Sequence, residues 1–274
     1  MEKNYLVISG TGKTGRRVVE KLQSKGCNVR AASRSSSPVF DWDDYETFEA
    51  VLAGIDRVYM VYYPDLAVPG AYEAISALTE AAKNSTVEKL VLLSGKGEKE
   101  AERCEQVVAD SGLDYTLVRA SWFNQNFSES FFLDPVIYGE VAAPMPHAQI
   151  PFVDADDIAE VATEALINDE LNGETLEVTG SELFKFGEVV QIIAETTGRN
   201  IQYIPVSLEQ YTAQMKQAEV PDTYIWLFEY LFREVLANPK NQEISNDVER
   251  VLGRKAKSFR KFAEEVAETG IWSS

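Results

Sequence analysis

The chain has 274 residues and a formal net charge of -18. Hydrophobic residues make up 45% and charged residues 26%, an ordinary globular balance that supplies a sizeable core. Such an acidic balance argues against a nucleic-acid partner, whose phosphates need a basic face, and no stretch approaches the roughly 18 apolar residues of a membrane span.

The length suits one large domain or two intimate ones. No basic-then-apolar leader precedes Tyr5, so the expected location is the cytoplasm. Cys27 and Cys104 sit in unrelated segments without metal spacing and read as small semi-buried residues rather than a disulfide. His147 is the only histidine, which excludes a histidine-rich metal site, and no metal is expected.

In chain order, an apolar run at 5–8 is followed by Ser9, Gly10, Thr11, Gly12, Lys13, Thr14 and Gly15. An amphipathic segment then carries Val18, Val19 and Leu22 on one face. Strand, glycine turn and helix start, in that order, make a phosphate site. Glycines let the backbone approach a pyrophosphate, and the helix N-terminus offers unpaired N–H groups. The alternative is a βα turn that binds nothing. After a second strand at 29–32 come Ser33, Arg34 and Ser35. NAD-specific folds usually place an acid about 20 residues past the glycines, to hold the ribose 2′-hydroxyl. Residues 26–39 contain no acid, and a guanidinium among hydroxyls suits a 2′-phosphate, so NADP(H) is the expected cofactor. The first 34 residues also hold eight basic side chains (Lys3, Lys13, Arg16, Arg17, Lys21, Lys25, Arg30, Arg34) against two acids. This island suggests a local anionic ligand, with most of its lysines on the solvated face of the first helix.

Further apolar runs at 58–61, 90–93 and 116–118 alternate with helical faces. These faces are Phe48, Val51 and Leu52, then Ile75, Leu78 and Ala82, then Val107 and Val108. The expected class is α/β, a Rossmann-type doubly wound parallel sheet, with its ligand crevice beyond the strand C-termini. Loops 9–15, 33–36, 62–64, 94–96 and 120–124 are expected to converge there. Tyr62 and Tyr63 read equally as cofactor contacts and as packing. Trp122, Phe123 and Asn124 are expected to open a helix, the two aromatics serving equally as core or pocket. Past residue 130, Pro144, Pro146 and Pro151 accompany an expected short hairpin, and Asp154, Asp156 and Asp157 cap a helix ending near 167. A strand at 175–179, a helix at 188–197 and an extended 202–205 follow, before a mostly helical remainder. Trp226 lies in an aromatic run that is mainly core and partly a candidate lid. His147 is a candidate proton donor or substrate hydrogen bond, against the plainer reading of a loop residue. The expected division is a cofactor-binding domain over 1–133. A smaller, mostly helical substrate-binding part covers 134–274, with some return of chain to the sheet.

Several segments together carry a family resemblance: SGTGKTGRRVVEKL at 9–22, the Ser33–Arg34 pair, FDWDD at 40–44, LVLLSG at 90–95, DYTLVRASWFNQNF at 114–127 and IPFVDADDIAEVA at 150–162. The chain resembles the NmrA-like atypical short-chain dehydrogenase/reductases along nearly its full length, and especially the ergot-alkaloid (agroclavine or festuclavine) dehydrogenase-like branch. The resemblance implies an NADP(H)-binding oxidoreductase. Asp41, Trp42, Ser94 and Gly95 would join the cofactor contacts, and the segment from Trp122 would face nicotinamide and substrate. Ser94 falls on the family's end-of-strand serine and is the catalytic candidate beside His147.

Two departures bear on chemistry. Aligned without a gap, Ser9 stands where the GxxGxxG pattern has its first glycine, which is expected to narrow the turn and weaken cofactor binding; the alternative is a GxGxxG turn that uses Gly10. No tyrosine has a lysine four residues later, so the YxxxK acid pair of ordinary short-chain dehydrogenases is absent. Hydride transfer to an iminium, quinone or delocalised cation needs less acid help than ketone reduction. The expected function is an NADPH-dependent reductase of such a small molecule, as monomer or homodimer, with no nucleic-acid or membrane partner. The competing reading is a non-catalytic NADP(H)-sensing regulator. A sugar-nucleotide epimerase is disfavoured, because those enzymes normally use the tyrosine and lysine.

Overall fold

The computed structural model describes residues 3–273. Its strands are β1 (Asn4–Ile8), β2 (Asn28–Ala32), β3 (Arg57–Met60), β4 (Lys89–Gly95), β5 (Asp114–Ala120), β6 (Glu140–Ala143), β7 (Glu174–Val178) and β8 (Gln202–Pro205). The helices are α1 (Lys13–Ser24), α2 (Thr47–Leu52), α3 (Ala71–Lys83), α4 (Lys99–Ala109), α5 (Leu133–Tyr138), α6 (Ala155–Ile167), α7 (Phe186–Thr197), α8 (Leu208–Gln217), α9 (Asp222–Tyr230), α10 (Asp247–Leu252) and α11 (Phe259–Glu268). The chain forms two compact units. The first takes the chain up to Ala120, then Ala155–Val178 and Arg250–Gly253; the second takes Ser121–Asp154, Thr179–Glu249 and Arg254–Ser274.

The first unit is a six-stranded sheet in the order β2-β1-β3-β4-β5-β7, with every neighbouring pair parallel. Leu6, Val7, Ile8, Val58, Tyr59, Met60, Leu90, Val91 and Leu92 are wholly buried. Their strands are apolar on both faces because helices cover both sides of a parallel sheet. β1 lies between β2 and β3, so successive connections leave it in opposite directions. That reversal opens a crevice at the strand C-termini, where this fold class binds ligands.

The second unit has a core of interlocking rings. Phe127, Phe132, Phe152, Phe186, Phe232, Phe259, Phe262 and Trp272 are buried together. β6 pairs in parallel with β8, not with a hairpin partner in its own segment. Pro144 and Pro146 remove two backbone donors just past β6, and Met145 between them turns the chain with φ 61°. Ile150 instead bridges Phe184. The helix expected from Trp122 is a single 3-10 turn, Asn124–Phe127. The Trp122 carbonyl accepts from Val153 N and Asn124 N donates to the Val153 carbonyl, so these bonds keep the backbone extended through Phe123.

Candidate functional site

The crevice is built around one carbonyl. β1 ends at Ile8 and the chain turns at Ser9 with φ 55°, in the left-handed region that favours glycine. The Ser9 hydroxyl donates to the carbonyl of Val61, the residue after β3, at 3.0 Å. The indole Nε1 of Trp42 donates to the same oxygen at 3.1 Å. Three loops distant in sequence are thereby tied at the switch point, and the serine that departs from the glycine pattern makes one of the ties. Gly12 N donates to the Ser9 carbonyl at 2.8 Å, and Gly10 N to the Ala32 carbonyl at 3.1 Å. A Cβ on Gly15 would lie 2.2 Å from the Ser9 oxygen, and one on Gly10 would lie 2.7 Å from the Ala31 Cβ. Only glycine fits either position. Gly12 caps α1, whose first turn, with Lys13, Thr14 and Gly15, contains no acid. Thr11 is exposed on the turn. A tight glycine turn leading into an acid-free helix N-terminus fits a dinucleotide's pyrophosphate.

The loop after β2 is self-supporting. The Ser36 hydroxyl donates toward the carbonyls of Ser33 and Pro38 and accepts from Ser33 N. Ser33 and Ser35 face each other through their hydroxyls at 3.2 Å. Arg34 is exposed, and among the described residues it has no ion-pair or hydrogen-bond partner. The rest of the basic island is largely spoken for. Arg17 pairs with Asp156 at 2.7 Å, Lys21 with Glu160 at 3.7 Å and Lys25 with Glu164 at 3.0 Å, one turn apart down α1 and α6. Arg30 donates to the carbonyls of Val51 and Ala53. The sequence assigned most of these lysines to a solvated helix face; Lys21 and Lys25 remain partly exposed there while also meeting acids of α6.

Asp41 accepts from Asp43 N and so closes its own turn. Trp42 packs against Phe40, Phe48 and Tyr62, with ring centroids 4.9, 5.9 and 5.0 Å away. A cleft of about 360 Å³ opens beside it, lined by Trp42, Tyr62 and Gly70 and by the acidic stretch Asp43 to Glu46. Tyr63 is exposed.

Ser94 is buried at the end of β4 and donates to Glu105 Oε1 at 2.6 Å. Glu105, on α4, is itself clasped by the guanidinium of Arg119 on β5 through two bonds. The hydroxyl of the catalytic candidate is thus directed at a paired carboxylate. The Glu98 carboxyl fills the space beside Gly95, where a Cβ would lie 1.9 Å from Glu98 Oε1 and the glutamate side chain would have to move. Sequence reasoning passed over Glu98, Glu105 and Asp65. The available signals were Glu98 directly after Gly97, and an acid on the otherwise apolar Cys104–Val108 face.

The substrate candidates lie in the second unit. Trp122 meets Phe131, Phe186 and Phe232 at 6.1, 6.0 and 5.6 Å, so its ring belongs to the aromatic core. Phe123, partly exposed, pairs with Val153 through its backbone. Asn124 is fully buried, yet neither its Nδ2 nor its Oδ1 has a partner among the described residues. A buried orphan amide is costly and marks a place where another polar group belongs. His147 is exposed on a turn closed by Ala148 N and the Met145 carbonyl. Trp226 is 42% exposed and stacks on Tyr230 at 5.6 Å. Among the described residues no helix is long and apolar enough to cross a membrane and no side-chain group is arranged to hold a metal.

A parallel sheet with a glycine turn at its switch point defines a dinucleotide-binding protein of the Rossmann type. The family described as NAD(P)H-binding matches residues 10–169, more than half of the chain. The chain belongs to that family. It is 27% identical to a prestalk A differentiation protein of Dictyostelium discoideum, over 96% of this chain and 92% of the other. It is 27% identical to an NAD(P)H azoreductase of Xenophilus azovorans, over 94% and 96% of the two chains. Identity to agroclavine dehydrogenase of Claviceps fusiformis is 26%, over 97% and 98%. Among solved structures, the triphenylmethane reductase of Citrobacter sp. complexed with NADP(H) superposes with a TM-score of 0.80 at 16% identity, over 96% and 99%. The NADPH-dependent quinone oxidoreductase of Escherichia coli gives 0.80 at 18%, over 96% and 99%.

Proposed function

We propose that the protein is an NADP(H)-dependent reductase of a conjugated, quinone-like or iminium small molecule, working without a tyrosine–lysine acid pair. The observation that carries this reading is the Ser94–Glu105–Arg119 cluster. At the strand end where ordinary short-chain dehydrogenases keep acid machinery, the serine hydroxyl is bonded to a carboxylate locked to an arginine. Such a cluster fixes the three side chains on one another; it offers no poised acid. When bound, the reduced nicotinamide would supply hydride. The chain's own part is positioning: the glycine turn and α1 N-terminus for the pyrophosphate, Arg34 with Ser33 and Ser35 for the 2′-phosphate, and Asp41, Trp42, Tyr62, Tyr63 and Gly95 as further cofactor contacts. Trp122, Phe123, Asn124, His147 and Trp226 are the proposed acceptor contacts, with the orphan Asn124 amide as the polar anchor. Proximity alone is a large contribution for an acceptor that is already electron-poor. The azoreductase and agroclavine dehydrogenase relatives support the acceptor class, and the reductases named among the structures share the fold.

The test is turnover on a quinone, an azo compound and an iminium or cationic dye at saturating NADPH, in wild type, Ser94→Ala and His147→Ala. General acid catalysis contributes about 10²–10⁴-fold. Losses of about tenfold or less in both variants fit positioning. Loss of all chemistry with binding retained, in either variant, identifies a dedicated proton donor and overturns the reading. Tight NADPH binding with no turnover on any acceptor supports the sensor instead.

A further inference from the structure

Several unpartnered polar atoms fall on one short ribbon of the second unit. Trp122 Nε1, Asn124 Nδ2 and Oδ1, and Ser128 Oγ are all buried, and none has a hydrogen-bond partner among the described residues. Asn124 is 0% exposed and Ser128 3%. The backbone of the same ribbon is in the opposite condition. The Trp122 carbonyl accepts from Val153 N at 2.9 Å, that of Phe123 from Asn126 N at 3.2 Å, that of Gln125 from Glu129 N at 2.8 Å and that of Asn126 from Phe132 N at 3.0 Å. The Phe127 carbonyl accepts from the indole of Trp272, past α11, at 2.8 Å. Trp272 is itself buried against Phe262, with ring centroids 6.0 Å apart.

A single 3-10 turn has poor hydrogen-bond geometry of its own. Here Val153 pins its start and Trp272 pins its end. The side chains are thereby held in place by bonds that they do not make themselves. A buried polar group left unpaired is costly, so a run of them on a pinned backbone needs a common cause. A pre-organised binding ribbon supplies one, because the fold meets the ordering cost before the ligand arrives.

Donors dominate the set. The indole can only donate, the amide offers two N–H groups against one oxygen, and the hydroxyl can do either. The matching ligand group must bring lone pairs. A carbonyl oxygen has them, whereas the nitrogen of an iminium has none to give. Asp154, next to Val153, does not call for a cation either, since Lys257 lies 3.5 Å from its carboxylate. The rings of Phe131, Phe186 and Phe232 around Trp122 suit a flat conjugated body attached to that oxygen.

We propose that residues 122–128 form a donor ribbon for the carbonyl oxygen of a quinone-like acceptor, with Trp122 Nε1 and the Asn124 amide as the donors. The inference rests on the acceptor site proposed above and narrows its class from three chemistries to one.

The experiment measures binding by calorimetry in the presence of NADP+, so that no hydride is available. The probes are naphthoquinone and the N-methylquinolinium ion, flat bicyclic hydride acceptors of similar size, of which only the first carries carbonyl oxygens. Wild type, Trp122→Phe and Asn124→Leu are compared, and the first variant keeps the ring while removing the N–H. Each variant should bind naphthoquinone about tenfold more weakly and the quinolinium ion within about twofold of wild type. The ligand-free thermal midpoint of Asn124→Leu should rise by about 2 °C or more, because an unpaired amide is replaced by an apolar side chain of similar size. A fall in that midpoint assigns the amide to a structural water and overturns the ribbon. So does unchanged naphthoquinone binding in both variants, or an equal loss for both probes. A wild type that binds no naphthoquinone also overturns it, while turnover of an azo compound or an iminium with NADPH would keep the reductase reading. Conversely, selective naphthoquinone binding without turnover on any acceptor removes the reductase reading and leaves the ribbon standing. If Asn124→Leu fails to fold, Trp122→Phe carries the comparison.

Discussion

At the scale of single side chains, the proposed cofactor choice turns on Arg34 and the shape of the glycine turn on Ser9. Arg34 stands exposed just past β2, without an ion-pair or hydrogen-bond partner among the described residues, while Arg17, Lys21, Lys25 and Arg30 are engaged elsewhere. A charge-assisted contact to one phosphate is worth roughly 1.5–3 kcal/mol. Arg34→Ala should therefore remove about tenfold or more of the preference for NADPH over NADH, measured as the ratio of the two dissociation constants. Equal wild-type affinity for both cofactors would remove the basis of the prediction. Ser9 works differently. It accepts a left-handed φ of 55°, and its hydroxyl recovers part of that cost by bonding the Val61 carbonyl. The departure from glycine thus acts on the tie between β1 and β3, a role its place in the motif did not announce.

Between elements, the sheet end is held by charge. Glu105 of α4 is nearly enclosed, its side chain 4% exposed, and Arg119 of β5 neutralises it while Ser94 of β4 donates a third bond. Removing one partner of a buried pair strands the other charge, at a cost of about 3–5 kcal/mol. Arg119→Met should lose stability on that scale in a urea titration. The double variant Arg119→Met with Glu105→Leu should regain most of it, because no unpaired charge then remains. If the double variant is no more stable than the single one, packing rather than charge governs the cluster. The α1–α6 ladder is a contrasting case. Its pairs are partly exposed, so each contributes about 0–1 kcal/mol and the helices rely on apolar packing beneath them. α6 follows α1 by some 130 residues of chain, so nothing local to α1 shows which of its lysines meet acids.

On the scale of the whole molecule, ligand binding reports on the fold. A cofactor that binds only the native state should stabilise it by about 2.7 kcal/mol at a hundredfold excess over its dissociation constant. Addition of NADPH should raise the thermal midpoint of wild type, and removal by gel filtration should reverse the rise. Gly15→Ala should show no such rise, since its Cβ would lie 2.2 Å from the Ser9 carbonyl and the turn has to open. An undiminished NADPH response in Gly15→Ala would place the cofactor elsewhere.

Local pattern by itself determined much of this protein. Apolar runs at 5–8, 58–61 and 90–93, each followed by a helical face, indicate a parallel sheet covered on both faces. The glycine turn and acid-free β2 end, read with the family segments, point to the NAD(P)H-binding family that the family match shows. These signals are legible because they depend on neighbours in sequence. Tertiary structure alone decided the rest. It paired β6 with β8 across 60 residues, reduced the expected helix at Trp122 to one turn through bonds to Val153, and matched the lysines of α1 to the acids of α6. It also turned Ser94 toward Glu105. A carboxylate's partner and protonation depend on burial and on charges from distant segments, and one-dimensional spacing carries neither quantity.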